Sequence, residues 1–221
     1  MELSTISVQG KGAIHVVPDV TRLQVTIEHW FESYDQAYAK AKENSGWMVN
    51  ILEYNKKAGN LAKTINLNIE DHLQNEYDDN GKYIGQIKNG FMLEQGIKID
   101  LPINNILVNN IVKGIGKFIS SAQINIGYTL QDERPSQMKM LARAVSDAKE
   151  KAAIMAEAVG CKLGKVISID YRFQNTHVMS QARYIHSNSE AKASTPQSLE
   201  ITPDDLVMSD TADVTFELIN P

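Results

Sequence analysis

Residues 142–169 read ARAVSDAKEKAAIMAEAVGCKLGKVISI, and they restrict the fold more than any other stretch of the chain. At about 100° per residue, Leu141, Ala144, Val145, Ala148, Ala152, Met155, Ala156 and Val159 share one face of a helix. Arg143, Asp147, Glu150 and Glu157 fall on the opposite face, where Arg143–Asp147 and Asp147–Lys151 are i,i+4 pairs. A buried stripe made mostly of alanine lets a backbone lie close to its neighbour while keeping helix propensity high. Gly160 reads as the cap that ends the helix. The spacing predicts a helix over 133–159 used for close contact, not a cofactor box.

Around that helix the chain alternates regular elements. Residues 5–17 read as a strand pair broken at Gly10 and Gly12. Residues 19–30 alternate, with Leu23, Val25 and Ile27 on one face, as in a half-buried strand. A helix is expected over 34–58, opened by a Ser33/Gln36 capping box and closed near Lys56, Lys57 and Gly59. Strands over 62–77 and 82–101 are joined by Asn80-Gly81, a strong short-range hairpin signal. A short helix over 104–116 and strands over 121–131, 164–173 and 210–220 complete the set. Residues 174–200 are polar and unpatterned and read as a mobile loop. From 20 to 131 the order is strand-helix-strand-strand-helix-strand, a split βαβ pattern. The fold class expected is α+β: an antiparallel or mixed sheet with helices on one face, extended by a helix and C-terminal strands, in one domain spanning 1–221.

Three stretches in this order, ISVQGKGAIHVVPDVTRLQVTI at 6–27, residues 142–169, and ADVTFELI at 212–219, resemble the SIMPL-domain family. The matching features are a strand region leading into Pro18-Asp19 and an alanine-rich helix ending in Gly160, Leu163, Gly164 and Val166. The resemblance implies a bacterial protein of the periplasm or cell envelope, from a family in which some members form ring-like oligomers and some are linked to stress tolerance. It carries over no catalytic residue. The N-terminus MELSTISVQGKG has no basic or apolar leader segment. The expectation is therefore periplasmic or envelope-associated if a leader was removed, and cytoplasmic otherwise.

A net charge of −5 argues against a nucleic-acid partner, which would need a basic face. No run of 18 apolar residues exists to span a membrane as a helix. The single cysteine, Cys161, follows a helix end and reads as a small, partly buried hydrophobe. His15, His29, His72, His177 and His186 lack the short spacing of a metal site, and no metal or cofactor is expected. Residues 76–87 mimic the start of a calcium loop, but Ile87 stands where a bidentate glutamate is needed, so a hairpin turn is the reading. Gly-x-Gly pairs at 10–12 and 114–116 read as a strand break and a helix end rather than phosphate loops. No catalytic motif appears, and a non-enzyme is expected.

The 34–58 helix carries two apolar stripes. Tyr34, Ala37, Tyr38, Ala41, Met48 and Leu52 should meet the sheet, while Trp47, Ile51 and Tyr54 form a second stripe about 120° away. With Ile154 on the later helix, these three are candidates for a homo-oligomer interface or a contact with another protein. The function expected is self-association through protein contacts, in stress protection or envelope organisation. The alternatives are a small-ligand binding protein or unrecognised enzyme with a pocket near the 174–200 loop, and an adaptor that uses that loop.

Overall fold

The computed structural model describes residues 4–119, 121–171, 180–181 and 203–220. The elements are β1 (Thr5–Val16), β2 (Val20–Phe31), α1 (Tyr34–Tyr54), a 3₁₀ turn (Gly59–Leu61), β3 (Ala62–Tyr77), β4 (Tyr83–Pro102), α2 (Asn105–Phe118), β5 (Ala122–Thr129), α3 (Arg134–Ala158), β6 (Lys162–Asp170), β7 (Ser180–Gln181) and β8 (Leu206–Ile219). Apart from Ser180 and Gln181, the 174–200 stretch lies outside the described residues, as do His177 and His186. The fold is α+β, with one sheet ordered β1-β8-β6 and a second ordered β3-β4-β2-β5-β7.

Read above as one domain, the chain groups into two compact units, one built on β1, α3, β6 and β8, the other on β2 through β5 with α1 and α2. The second unit is the split βαβ by itself. β4 pairs antiparallel with both β2 and β3, and Leu23, Val25 and Ile27 of β2 are buried as their alternation predicts. They meet Ile97, Ile99 and Leu101 of β4, with Met48, Ile51 and Leu52 of α1 and Val108, Ile111 and Ile115 of α2 above them.

Helix α3 with β6 and β8 does not extend that sheet but builds the first unit with β1; of the later strands only the two-residue β7 joins the second sheet. Nor is 5–17 a broken pair of strands. It is one strand, aligned with β8 from Thr5↔Glu217 to Val16↔Leu206. Its glycines answer the alanines of α3. A Cβ on Gly10 would strike the carbonyl of Ala144 and lie 2.5 Å from the amide nitrogen of Ala148, and one on Gly12 would strike the carbonyl of Met140. These are backbone atoms, which cannot swing aside as a side chain can. The larger inward residues sit at the two ends of the contact. Val8, Val214 and Phe216 pack on Ala148 and Ala152, while Ile14, Leu206 and Met208 pack with Leu130 and Met140.

The polar residues of α3 reach back rather than face only water. Arg143 donates to the carbonyl of Ala13 (2.7 Å), the amide of Lys11 donates to Asp147 (2.7 Å), and Lys151 donates to the carbonyl of Gln9 (3.4 Å). Four helical residues advance about 6 Å and two strand residues about 6.6 Å, so residues 143, 147 and 151 keep step with 13, 11 and 9. This row occupies backbone groups on the outer edge of β1 that no strand among the described residues pairs. Lys151 also bridges Asp147 at 2.7 Å. The hydrogen bond from Lys151, then that from the Lys11 amide, holds the Asp147 carboxyl below its ordinary range. Beside Gly12, Asp210 is buried on β8 and accepts from the Tyr171 hydroxyl at 2.7 Å. Burial first, and this carboxylate second, push Tyr171 up to about 12.

Gly10→Ala should lower the unfolding free energy by about 3 kcal/mol or more, because the added methyl meets backbone. Gly116→Ala in α2, where a Cβ meets nothing within 4 Å, should gain about 0.5–1 kcal/mol. Urea midpoints of the two variants would test this opposition of sign.

Because its pKa is lowered on folding, Asp147 stabilises above the unfolded carboxylate pKa, and that contribution is lost as pH falls through the lower folded value. Asp147→Asn should therefore be less stable than the parent at pH 7, with the gap closing as pH falls through and below the ordinary aspartate range. Denaturation curves across that range would show it; a constant gap would contradict it.

Candidate functional site

Two features of the second unit stand out: a groove between α1 and α2, and an extension of the β3–β4 hairpin beyond the sheet. The capping box fixes the start of α1, with the Gln36 amide on Ser33 Oγ (3.4 Å) and the Ser33 amide on Gln36 Oε1 (3.3 Å). Ala37, Ala41, Met48 and Leu52 are buried against the sheet as expected, together with Asn44, which donates to Gln95 of β4 at 3.3 Å. Tyr34 and Tyr38 are not buried; both are about half exposed. Ala37 and Ala41 sit tightly on Leu93 there, which leaves the tyrosines at the rim, Tyr34 edge-on to Phe91.

The Asn104 side chain caps α2 by accepting from the Leu107 amide (3.0 Å). Gly114 lies within this helix rather than ending it. A Cβ there would sit 3.0 Å from Ile51 Cγ2, so the glycine sets how near α1 comes. Above that contact lies a groove of about 640 Å³, lined among others by Trp47, Tyr54, Asn50, Asn110, Lys113 and Lys117. Trp47 stacks on Phe118 at 4.4 Å and 12° between planes. Its indole N–H donates to Glu43 (3.1 Å), whose carboxyl is held below its usual range by hydrogen bonds from Lys40 first and Trp47 second. Lys113 and Lys117 stand one turn apart on the exposed side of α2, and no carboxylate among the described residues bridges either.

The structure thus brings Trp47, Ile51 and Tyr54 to one groove, each in a different state. Ile51 is in the core, Trp47 is half-covered by α2, and Tyr54 is 88% exposed. Ile154, 62% exposed, belongs to the other unit. Sequence patterning missed Asn110, Lys113, Lys117 and Phe118. The lysine spacing of four was the available signal, but a short helix with two glycines drew attention to its end instead.

The hairpin feature arises from unequal strand lengths. β2 pairs with β4 only from Phe91 to Pro102, whereas β3 stays paired with β4 out to Tyr77↔Tyr83. The eight residues Tyr83–Gly90 therefore project with β3 alone, about 27 Å of two-stranded ribbon. At its root the Trp30 indole donates to the carbonyl of Asn89 (2.7 Å), Lys88 bridges Asp71 (2.7 Å), and Gly90 takes a φ of 117° against Phe31 and Trp30. At its tip Asp78 caps the turn, accepting from the amides of Asn80 (2.9 Å) and Lys82 (2.8 Å), and Gly81 has a φ of 78°. The calcium-like stretch 76–87 is this hairpin. Leu73, Tyr77, Tyr83, Ile84 and Ile87 on the ribbon are each about half exposed.

Across the chain, residues 6–216 match the family model SIMPL, described as Protein of unknown function (DUF541). The chain belongs to the SIMPL family. No curated protein matches it. In this SIMPL chain the motif residues have plain structural work. Gly160 takes a φ of 76° to end α3, with the Cys161 amide on the carbonyl of Ala156 (2.9 Å) and the Gly160 amide on that of Glu157 (3.0 Å). Gly164 lets β6 pass Glu217, whose Cβ would lie 2.9 Å from an added methyl. No helix among the described residues is long and apolar enough to cross a membrane, and no three His, Cys, Asp or Glu side chains among them are grouped to hold a metal.

The C-terminal end of α1, beside the groove, has the same hydrogen-bond pattern as that of α3 but with Lys56 in the left-handed position, φ 57°. Lys56→Gly should raise stability by about 0.5–1 kcal/mol by relieving that conformation. A denaturant midpoint that fell instead would contradict the assignment.

Proposed function

We propose that this SIMPL protein is non-enzymatic and self-associating, and that its protomers join by seating the β3–β4 ribbon on a second copy. The ribbon carries the reading. An isolated two-stranded hairpin is marginal in water, and three strands or a packed face are needed for independent stability. This one has a fixed root, a capped tip and exposed apolar side chains on both faces, Leu73, Tyr77 and Tyr83 on one and Ile87 on the other. Fully burying such a side chain is worth about 1.5–3 kcal/mol and these are already about half covered, so a contact between two chains draws on all of them together rather than on any one. Trp47 and Ile51 fit an interface less well, since α2 already covers much of that stripe. The family's resemblance supports assembly and an envelope setting; work through protein contacts, in stress protection or envelope organisation, is proposed on that resemblance.

Light scattering at several concentrations and two salt levels tests this. The expected mass is a stable multiple of 24.6 kDa, falling to the single-chain value in Leu73→Ser/Tyr77→Ser/Ile87→Ser with unchanged circular dichroism. A parent that stays monomeric removes self-association, and an assembly that survives the triple change removes the ribbon.

A further inference from the structure

We propose that the α1–α2 groove is a binding site for a small molecule that carries a flat aromatic ring and an anionic group. This goes beyond self-association and does not depend on it. A volume of about 640 Å³ lies within the roughly 300–1,000 Å³ range of small-ligand sites. The groove is lined with aromatic surface: Trp47 of α1 stacks near-parallel on Phe118 of α2, and Tyr54 of α1 stands exposed. The α2 side, which also carries Phe118, supplies positive charge. Lys113 and Lys117 are neighbours on one face of α2, in a chain of net charge −5, with no bridging carboxylate among the described residues; the Lys117 ammonium lies 5.3 Å from the centre of the Phe118 ring, a contact that leaves its charge available to an anion.

Two like charges one turn apart repel and slightly disfavour the helix. An anion between them reverses the sign of that interaction and forms charge-assisted hydrogen bonds. Glu43 on α1 is already engaged by Lys40 and the Trp47 indole, and it holds that ring rather than the lysines. Asn50 and Asn110 face the groove as neutral donors and acceptors that can orient polar substituents. The floor is pre-formed, because Gly114 against Ile51 fixes the approach of the helices. Aromatic surface, cations and amides thus converge on one preorganised groove, which suits a planar acid better than a neutral or purely aliphatic ligand.

The chain has two tryptophans, so two indole N–H signals report separately in a ¹H–¹⁵N spectrum of the full-length protein, assigned with Trp30→Phe. The probe is 1-naphthoate, with 1-naphthamide as its uncharged counterpart. Naphthoate should shift the Trp47 signal saturably and leave that of Trp30 in place, while naphthamide binds more weakly. Lys113→Met/Lys117→Met should weaken naphthoate about tenfold or more, and Asn110→Glu should do likewise by adding a negative charge to the groove. Both changes are at exposed positions, and an unmoved Trp30 signal confirms that each variant is folded. An unresponsive Trp47, equal shifts at both tryptophans, or full affinity in the two folded variants would overturn the site. Equal binding of naphthamide would overturn its preference for an anion.

Discussion

The contact between the alanines of α3 and the glycines of β1 is the constraint on which the first unit depends. It has two parts that require each other. Absent side chains at Gly10 and Gly12 bring helix and strand to backbone distance. At that distance Arg143, Asp147 and Lys151 are near enough to engage the outer edge of β1. A helix held off by even one methyl group would leave those edge groups to water and open the small core clusters at either end. The unit therefore closes a strand edge with side chains, a way of managing an exposed edge that needs no further strand.

The second unit treats its edge differently. Its sheet is covered by α1 and α2, whose larger apolar residues build a conventional core, and its outermost strand β3 continues with β4 past the end of β2. Nothing comparable to the α3 row serves that ribbon among the described residues; its rooted base and apolar faces set it apart as a surface for contact. In the same unit the two helices approach through Gly114 and Ile51, and the groove lies between residues of both. Both candidate features are thus consequences of element length and spacing, not of any motif.

Much of this was legible in advance because its signals are local. The Ser33 capping box, the Asn80-Gly81 turn, the Gly160 cap and the alternation of β2 each depend on residues a few positions apart, and each appears where expected. The misreadings have a common cause. Gly10 and Gly12 look like a strand break because local rules price only the conformational cost of glycine, whereas here the glycine is required by a helix more than a hundred residues away. Asp147 looks solvated on a helical wheel because the wheel does not show that a strand edge lies within reach. Trp47 looks bare until Phe118 is placed against it. In the candidate groove only the α1 wall was visible, since the lysines on α2 gain meaning from what they face.

The sequence alone determined the α+β class, the order of elements, most boundaries and the family, because hydrophobic periodicity, caps and turns are written over short separations. It also determined that α3 makes an alanine-lined close contact. Tertiary structure decided the partner in that contact, the division of the strands into two sheets, and how far the β3–β4 ribbon outruns β2. It also brought Trp47 onto Phe118 in the groove that Lys113 and Lys117 line. These outcomes turn on which distant surfaces fit at van der Waals distance and which strand edges are left unpaired, and no single stretch of sequence contains both halves of such a fit.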